Sequence, residues 1–118
     1  MADSNQRTGV LADRLRLATG VANDEREEVL ERLDPLGRRL ASFPPETLEL
    51  ELSVKERGGA DQRMTLECWM SGRDRLVATS SRADFDAALI EVRDDLMRQV
   101  NDAVTRREPR NNRNLRGR

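Results

Sequence analysis

The sequence predicts an α+β fold in the order strand, helix, three strands, helix, with two helices packed on one face of a four-stranded, largely antiparallel sheet. Three observations lead there. Residues Leu48 to Val54 alternate apolar and polar without a fault, and two more short alternating runs follow. An amphipathic segment, Ala83 to Arg107, comes directly after them. A second amphipathic segment separates this meander from a first alternating run near Leu15.

The elements follow in chain order. Residues 1–12 are polar and are expected to be disordered, leaving an ordered domain over 13–108. Arg14 to Thr19 places Leu15 and Leu17 on one face and is closed by Gly20, which predicts a short strand. Asn23 or Asp24 caps the first helix, Glu25, Glu27 and Glu28 fill its first turn, and Val29, Leu33, Leu36, Leu40 and Phe43 form its inner stripe. Pro35 lies inside that stripe, so a kink or break is expected near Asp34, with Gly37 loosening the segment further. Pro44-Pro45 ends it.

Leu48, Leu50, Leu52 and Val54 against Glu49, Glu51, Ser53 and Lys55 describe a strand with one buried and one wet face. After the Gly58-Gly59-Ala60-Asp61 loop, Met64, Leu66, Cys68 and Met70 alternate with Arg63, Thr65, Glu67 and Trp69, and the two runs are expected to pair as a hairpin. Ser71-Gly72-Arg73-Asp74 turns the chain into a last strand, Arg75 to Ser80, in which either Leu76/Ala78 or Val77/Thr79 faces inward. The closing helix is capped by Ser80 or Ser81, carries Phe85, Leu89, Val92, Leu96, Val100 and Val104 as its stripe, and ends at Pro109, with 109–118 a disordered basic tail.

Composition narrows the functions. With 118 residues the chain has room for one domain, and with 36% hydrophobic and 3% aromatic residues its core is built of Leu, Val, Met and Ala. A deep aromatic-lined pocket for a small-molecule substrate is not expected. Histidine is absent and Cys68 is alone, which excludes His-based triads and dyads, zinc sites of the usual kind and an internal disulfide. No cofactor or metal is called for, and an enzyme is the least favoured class. No stretch is apolar enough for a membrane span, so no membrane partner is expected and the chain reads as cytoplasmic.

The net charge of −1 conceals an uneven distribution. From Ala103 onward six arginines face Glu108 alone, whereas Asp84 to Asp102 holds six acids against Arg93 and Arg98. Lys55 is the single lysine, and arginine suits bidentate phosphate contacts.

Three stretches together resemble the ribosome hibernation-promoting factors and ribosome-associated inhibitors, the sigma-modulation family, in its short form. They are Arg26 to Arg38 with its basic residues around a hydrophobic seam, Val54-Lys55-Glu56 at the end of the long strand, and Leu76-Val77-Ala78 through Asp84-Phe85-Asp86-Ala87-Ala88-Leu89 to Leu96-Met97-Arg98-Gln99-Val100. The similarity runs from Leu15 to Arg107. It implies a non-catalytic factor that enters the decoding region of the small ribosomal subunit and silences idle ribosomes under stress or in stationary phase. The partners it implies are that subunit and its rRNA. Arg26, Arg32, Arg38, Lys55 and Arg98 match the family's basic positions, and Arg106 and Arg107 stand one or two turns beyond. Asp95 and the Asn101-Asp102-Ala103-Val104 stretch depart from the family's lysines and dilute the basic helix face.

The residues on their own support plainer readings as well. Charged helix faces are usually only solvated, with Glu28 paired to Arg32 or Asp94 to Arg98. Outward-facing Trp69 covers the sheet edge or a neighbouring subunit more readily than it stacks on a base. Glu49/Glu51 and Asp94/Asp95 read as surface charge. The competing functions are a double-stranded RNA module, against which Asp84 and Asp86 argue at the start of the last helix, and a protein–protein adaptor that forms a weak homodimer through an exposed strand.

Overall fold

The structure, a computed structural model, describes the backbone of residues 10–116 and the side chains of residues 10–105. Four strands, β1 (Leu15–Leu17), β2 (Leu48–Lys55), β3 (Arg63–Met70) and β4 (Leu76–Ser80), form one sheet in chain order. β1 runs parallel to β2, and the β2–β3 and β3–β4 pairs are antiparallel. After the opening helical turn at residues 10–14, the helices are α1 (Arg26–Arg32), α2 (Asp34–Leu40) and α3 (Phe85–Arg116), so the α+β class holds and the element order is broadly the predicted one.

Period-two alternation determines which face is covered. Leu48, Leu50, Leu52 and Val54 on β2, and Met64, Leu66, Cys68 and Met70 on β3, are all buried, while their alternate neighbours are half-buried or exposed. β4 resolves its two open registers by pairing Leu66 with Ala78 and Met64 with Ser80, which turns Leu76, Ala78 and Ser80 inward and Val77 and Thr79 outward. Val29 from α1, Leu33 at the junction, and Leu36 and Leu40 from α2 join Ala88, Leu89, Val92, Leu96 and Val100 from α3 in a single core with the inward strand residues. Burying any one of these leucines completely is worth about 2 kcal/mol.

The predicted break in the first helical segment occurs at Leu33, and Pro35 sits in the first turn of α2, where its missing N–H costs nothing. Gly37 does not loosen the helix. It makes room, since a Cβ there would lie 3.1 Å from Leu11 Cδ1. That contact corrects the expectation of a disordered start through residue 12. Residues 10–14 are helical and Leu11 is 1% exposed, held over the gap that Gly37 leaves. Val10-Leu11-Ala12 is too short a run to show a period, so its role is set by tertiary packing. Residues 1–9 lie outside the described residues.

The caps also differ from expectation. Neither Asn23 nor Asp24 caps α1; a 3-10 turn, Asn23–Glu25, precedes it, and the Glu25 carboxylate reaches back to accept from Ala22 N–H at 3.0 Å. Asp84 rather than Ser80 or Ser81 caps α3, accepting from Ala87 N–H at 2.8 Å. Ser80 is buried instead and donates to Glu91. The sequence reading ended α3 at Pro109, whereas the helical backbone continues to Arg116.

Two tight contacts join the loops. Gly20 has φ +85°, and a Cβ there would stand 2.1 Å from the Val54 carbonyl oxygen. Beside it, Arg57 donates to both Glu25 carboxylate oxygens at 2.7 and 2.6 Å and to the Gly20 carbonyl at 2.8 Å, with its guanidinium 4.0 Å above the Phe85 ring. These bonds, with the Ala22 N–H, hold the Glu25 carboxyl well below its ordinary value, at about 2.

Gly20→Ala is therefore expected to cost at least about 2 kcal/mol, combining a left-handed backbone with a steric clash, as a drop in urea midpoint at unchanged slope. Because the Glu25 pKa is depressed on folding, its contribution is present above the ordinary value of 4.5 and is lost as pH falls from there towards about 2. Glu25→Gln is expected to lower stability at pH 7 by about 1 kcal/mol, a partly solvated pair. Urea unfolding of the two proteins should converge as pH drops through that window.

Candidate nucleic-acid interface

The basic residues singled out from sequence are placed by different elements and do not converge on one patch. Arg26, in the first turn of α1, is half-buried and donates to the carbonyls of Ala12 at 2.9 Å and Leu15 at 2.8 Å. It binds the incoming chain to the helix. Arg32 lies at the seam between α1 and α3, 3.3 Å from Asp86 and 3.9 Å from Glu28. Across that seam Arg93 donates to the Arg32 carbonyl at 3.2 Å.

Arg38 and Arg98 are accessible, with side chains 80% and 68% exposed. Each rests on its own helix: Arg38 is 2.8 Å from Asp34, and Arg98 is 2.7 Å from Asp95. Arg98 lies on the flank of α3 that faces the β4 edge, in a shallow groove lined by Thr79, Arg82, Ile90 and Glu91, away from Arg32. Next to it, Gln99 donates to the Val77 carbonyl at 2.8 Å. The side chains of Arg106 and Arg107 lie outside the described residues.

Lys55 is on the sheet face that the helices leave uncovered, at the loop end of β2, directly opposite Arg63 on β3. Both are exposed, and neither has a carboxylate within ion-pairing distance among the described residues. Two like charges facing across a ladder repel, and an anion between them relieves that repulsion. Toward the middle of this face Ser53 pairs with Thr65 and Thr65 with Thr79, a row of hydroxyls. At the far end the charges compensate one another: Arg16 is 3.2 Å from Glu51 and Arg75 is 3.4 Å from Glu67, with Trp69 half-buried opposite Glu49. Apart from Trp69 and Val77 the face is polar, and it is net cationic only near the hairpin loop. Arg63 was not singled out from sequence, because its pairing with Lys55 is a property of register.

Nothing in this arrangement assembles acid–base machinery. No cluster of three or more metal-ligating side chains occurs among the described residues, and no helix there is long and apolar enough to cross a membrane. Cys68 is fully buried, and loss of solvent pushes its thiol up to about 12, which keeps it unreactive in the folded chain.

No protein-family model matches the chain, and no curated protein matches its sequence. Among solved structures it is similar to the N-terminal domain of Protein Y from Thermus thermophilus, with 21% identity and a TM-score of 0.52. The match covers 74% of this chain and 94% of that one. The two share a fold.

Arg26→Ala is expected to destabilise the protein by about 1–3 kcal/mol, because two carbonyls lose a charged donor. Arg38→Ala should cost less, about 0.5–1 kcal/mol, since its guanidinium is exposed while its partner Asp34 is 13% exposed. Chemical denaturation of both variants separates the structural arginine from the available one.

Proposed function

We propose that this chain is a short ribosome hibernation-promoting factor, a non-enzymatic cytoplasmic protein that occupies the decoding region of the small ribosomal subunit and blocks tRNA and mRNA sites in idle ribosomes. The observation that carries the proposal is the agreement of two likenesses, one of sequence and one of fold. The sequence resemblance over Leu15 to Arg107 points to the hibernation family, and the fold is similar to the N-terminal domain of Protein Y.

The geometry supports a mechanism of occupancy through backbone contacts to rRNA. Arg98 and Arg38 would exchange a carboxylate for a phosphate, at the smaller cost for Arg98, whose partner Asp95 is 32% exposed against 13% for Asp34. Lys55 gives up no partner. Each phosphate neutralised releases counterions, so affinity should fall steeply with salt. Arg32 contributes by loosening its hold on Asp86, and Arg106 and Arg107 would extend the contact along α3. Arg26 keeps its place in the fold.

A dimerising adaptor is the second reading, supported by Ile90, which is 39% exposed beside the β4 edge. Against strand addition there, Gln99 already occupies the Val77 carbonyl.

Co-sedimentation with ribosomes over a salt series tests the proposal. The wild-type chain is expected to travel with the small subunit at low salt and to leave it as salt rises. Lys55→Glu and Arg98→Glu should each weaken binding about tenfold and make the salt slope shallower by about one unit. A chain that stays at the top of the gradient at low salt, or a wild-type affinity in both variants, overturns the reading. A dimer at micromolar concentration with no ribosome binding favours the adaptor.

A further inference from the structure

Most arginines with described side chains sit within 4.0 Å of a carboxylate. Arg39 and Arg73 do not, yet the fold brings both to one aromatic ring. The Arg39 guanidinium carbon is 5.8 Å from the centroid of Phe43, and that of Arg73 is 5.7 Å away. Both distances are within the range of cation–π attraction, which favours each cation on the ring without cancelling its charge.

The arrangement is positioned from three sides. Ser71 N–H donates to the Thr47 carbonyl at 2.9 Å, which draws the β3–β4 turn against the segment after Phe43. Arg73 N–H donates to the Met70 carbonyl at 2.9 Å and closes the turn. From α3, Asn101 accepts from Arg39 Nε at 2.6 Å, while Ser42 accepts from Arg39 Nη1 at 3.4 Å. Arg39 is thus oriented by neutral groups only.

Arg73 supplies a separate observation. Its Nη1 is buried and has no hydrogen-bond partner. A charged donor left without an acceptor is costly, and native proteins rarely retain one without a use for it. Two guanidiniums on one ring, neither within 4.0 Å of a carboxylate, call for an acceptor that carries negative charge, and Arg73 Nη1 has to turn out of its buried position to meet it. A phosphate group, with several oxygens and a charge to set against both cations, fits that demand.

We propose that Arg39, Arg73 and Phe43 form an oxyanion site that takes a phosphate group, and that in the working protein this is a backbone phosphate of RNA. The second half rests on the ribosomal reading above. The site lies where the C-terminal end of α2 meets the β3–β4 turn and α3, so it adds a contact point to those at Lys55 and Arg98.

The test follows the Nε–Hε signals of Arg39 and Arg73 by NMR in the ¹⁵N-labelled full chain. It is titrated with sodium phosphate against sodium chloride of equal ionic strength, and separately with a short single-stranded RNA. Both signals are expected to move with phosphate and not with chloride, and to move with RNA at lower concentration. Arg73→Ala is expected to abolish the phosphate response at Arg39 and to lower ribosome affinity about tenfold, one charge-assisted contact. If Arg73→Ala does not fold, Arg73→Lys keeps the charge without the planar fork and should weaken the phosphate response several-fold. No movement with phosphate overturns the site. Movement with phosphate but not RNA, and unchanged ribosome affinity in the variants, overturns the RNA assignment and leaves a site for free phosphate. A phosphate response in a chain that never binds ribosomes overturns the hibernation reading and upholds the site.

Discussion

The inward row of β2 is the constraint on which the rest of the structure depends. Leu48, Leu50, Leu52 and Val54 are at most 2% exposed, and a strand with a period of two cannot slip by one residue without turning all four to solvent. Their position dictates which side of β3 and β1 faces the core, and so which side α1, α2 and α3 must cover. Everything polar on β2 and β3 is then consigned to the other face, where Lys55 meets Arg63 and Glu51 meets Glu67. The placement of charge on the open face is thus a by-product of hydrophobic register.

The electrostatics of the helix layer follow a different logic. A chain with 21 basic and 22 acidic residues is nearly neutral, and ion pairs hold eight of the fourteen cations whose side chains are described. Arg57 is committed to Glu25 between two loops, Arg32 to Asp86 between two helices, and Arg26 to backbone carbonyls. What distinguishes a cation available to a ligand here is the absence of a structural task, and that is invisible in a count of charges. Lys55 and Arg63 qualify by this criterion and Arg39 and Arg73 lack a carboxylate partner, whereas Arg38 and Arg98 hold pairs within their own helices.

Much of the fold was legible in the sequence because apolar spacing is a local property. The four strands, the break beside Pro35 and the stripe of the last helix are all written in runs of a few residues. Leu11 was missed because a single leucine has no period and is buried against residues far along the chain, Gly37 among them. The caps were misassigned for a related reason: several residues near each helix start can cap, and the choice of Glu25 and Asp84 depends on how the preceding loop arrives. The candidate site was less legible than the fold. Sequence offers the arginines, but Arg63 opposite Lys55 and Arg73 over Phe43 exist only once strands are in register and the β3–β4 turn has docked.

The parallel pairing of β1 with β2 has a consequence for biosynthesis. Leu15 is opposite Leu50, so the strand that emerges first from a ribosome has to wait for a partner made much later, while β2 and β3 are joined by a short loop and can pair as soon as both exist. A waiting strand is an aggregation hazard. This one is only three residues long and has Arg16 at its centre, a brevity and charge that keep the nascent segment soluble until the hairpin offers an edge.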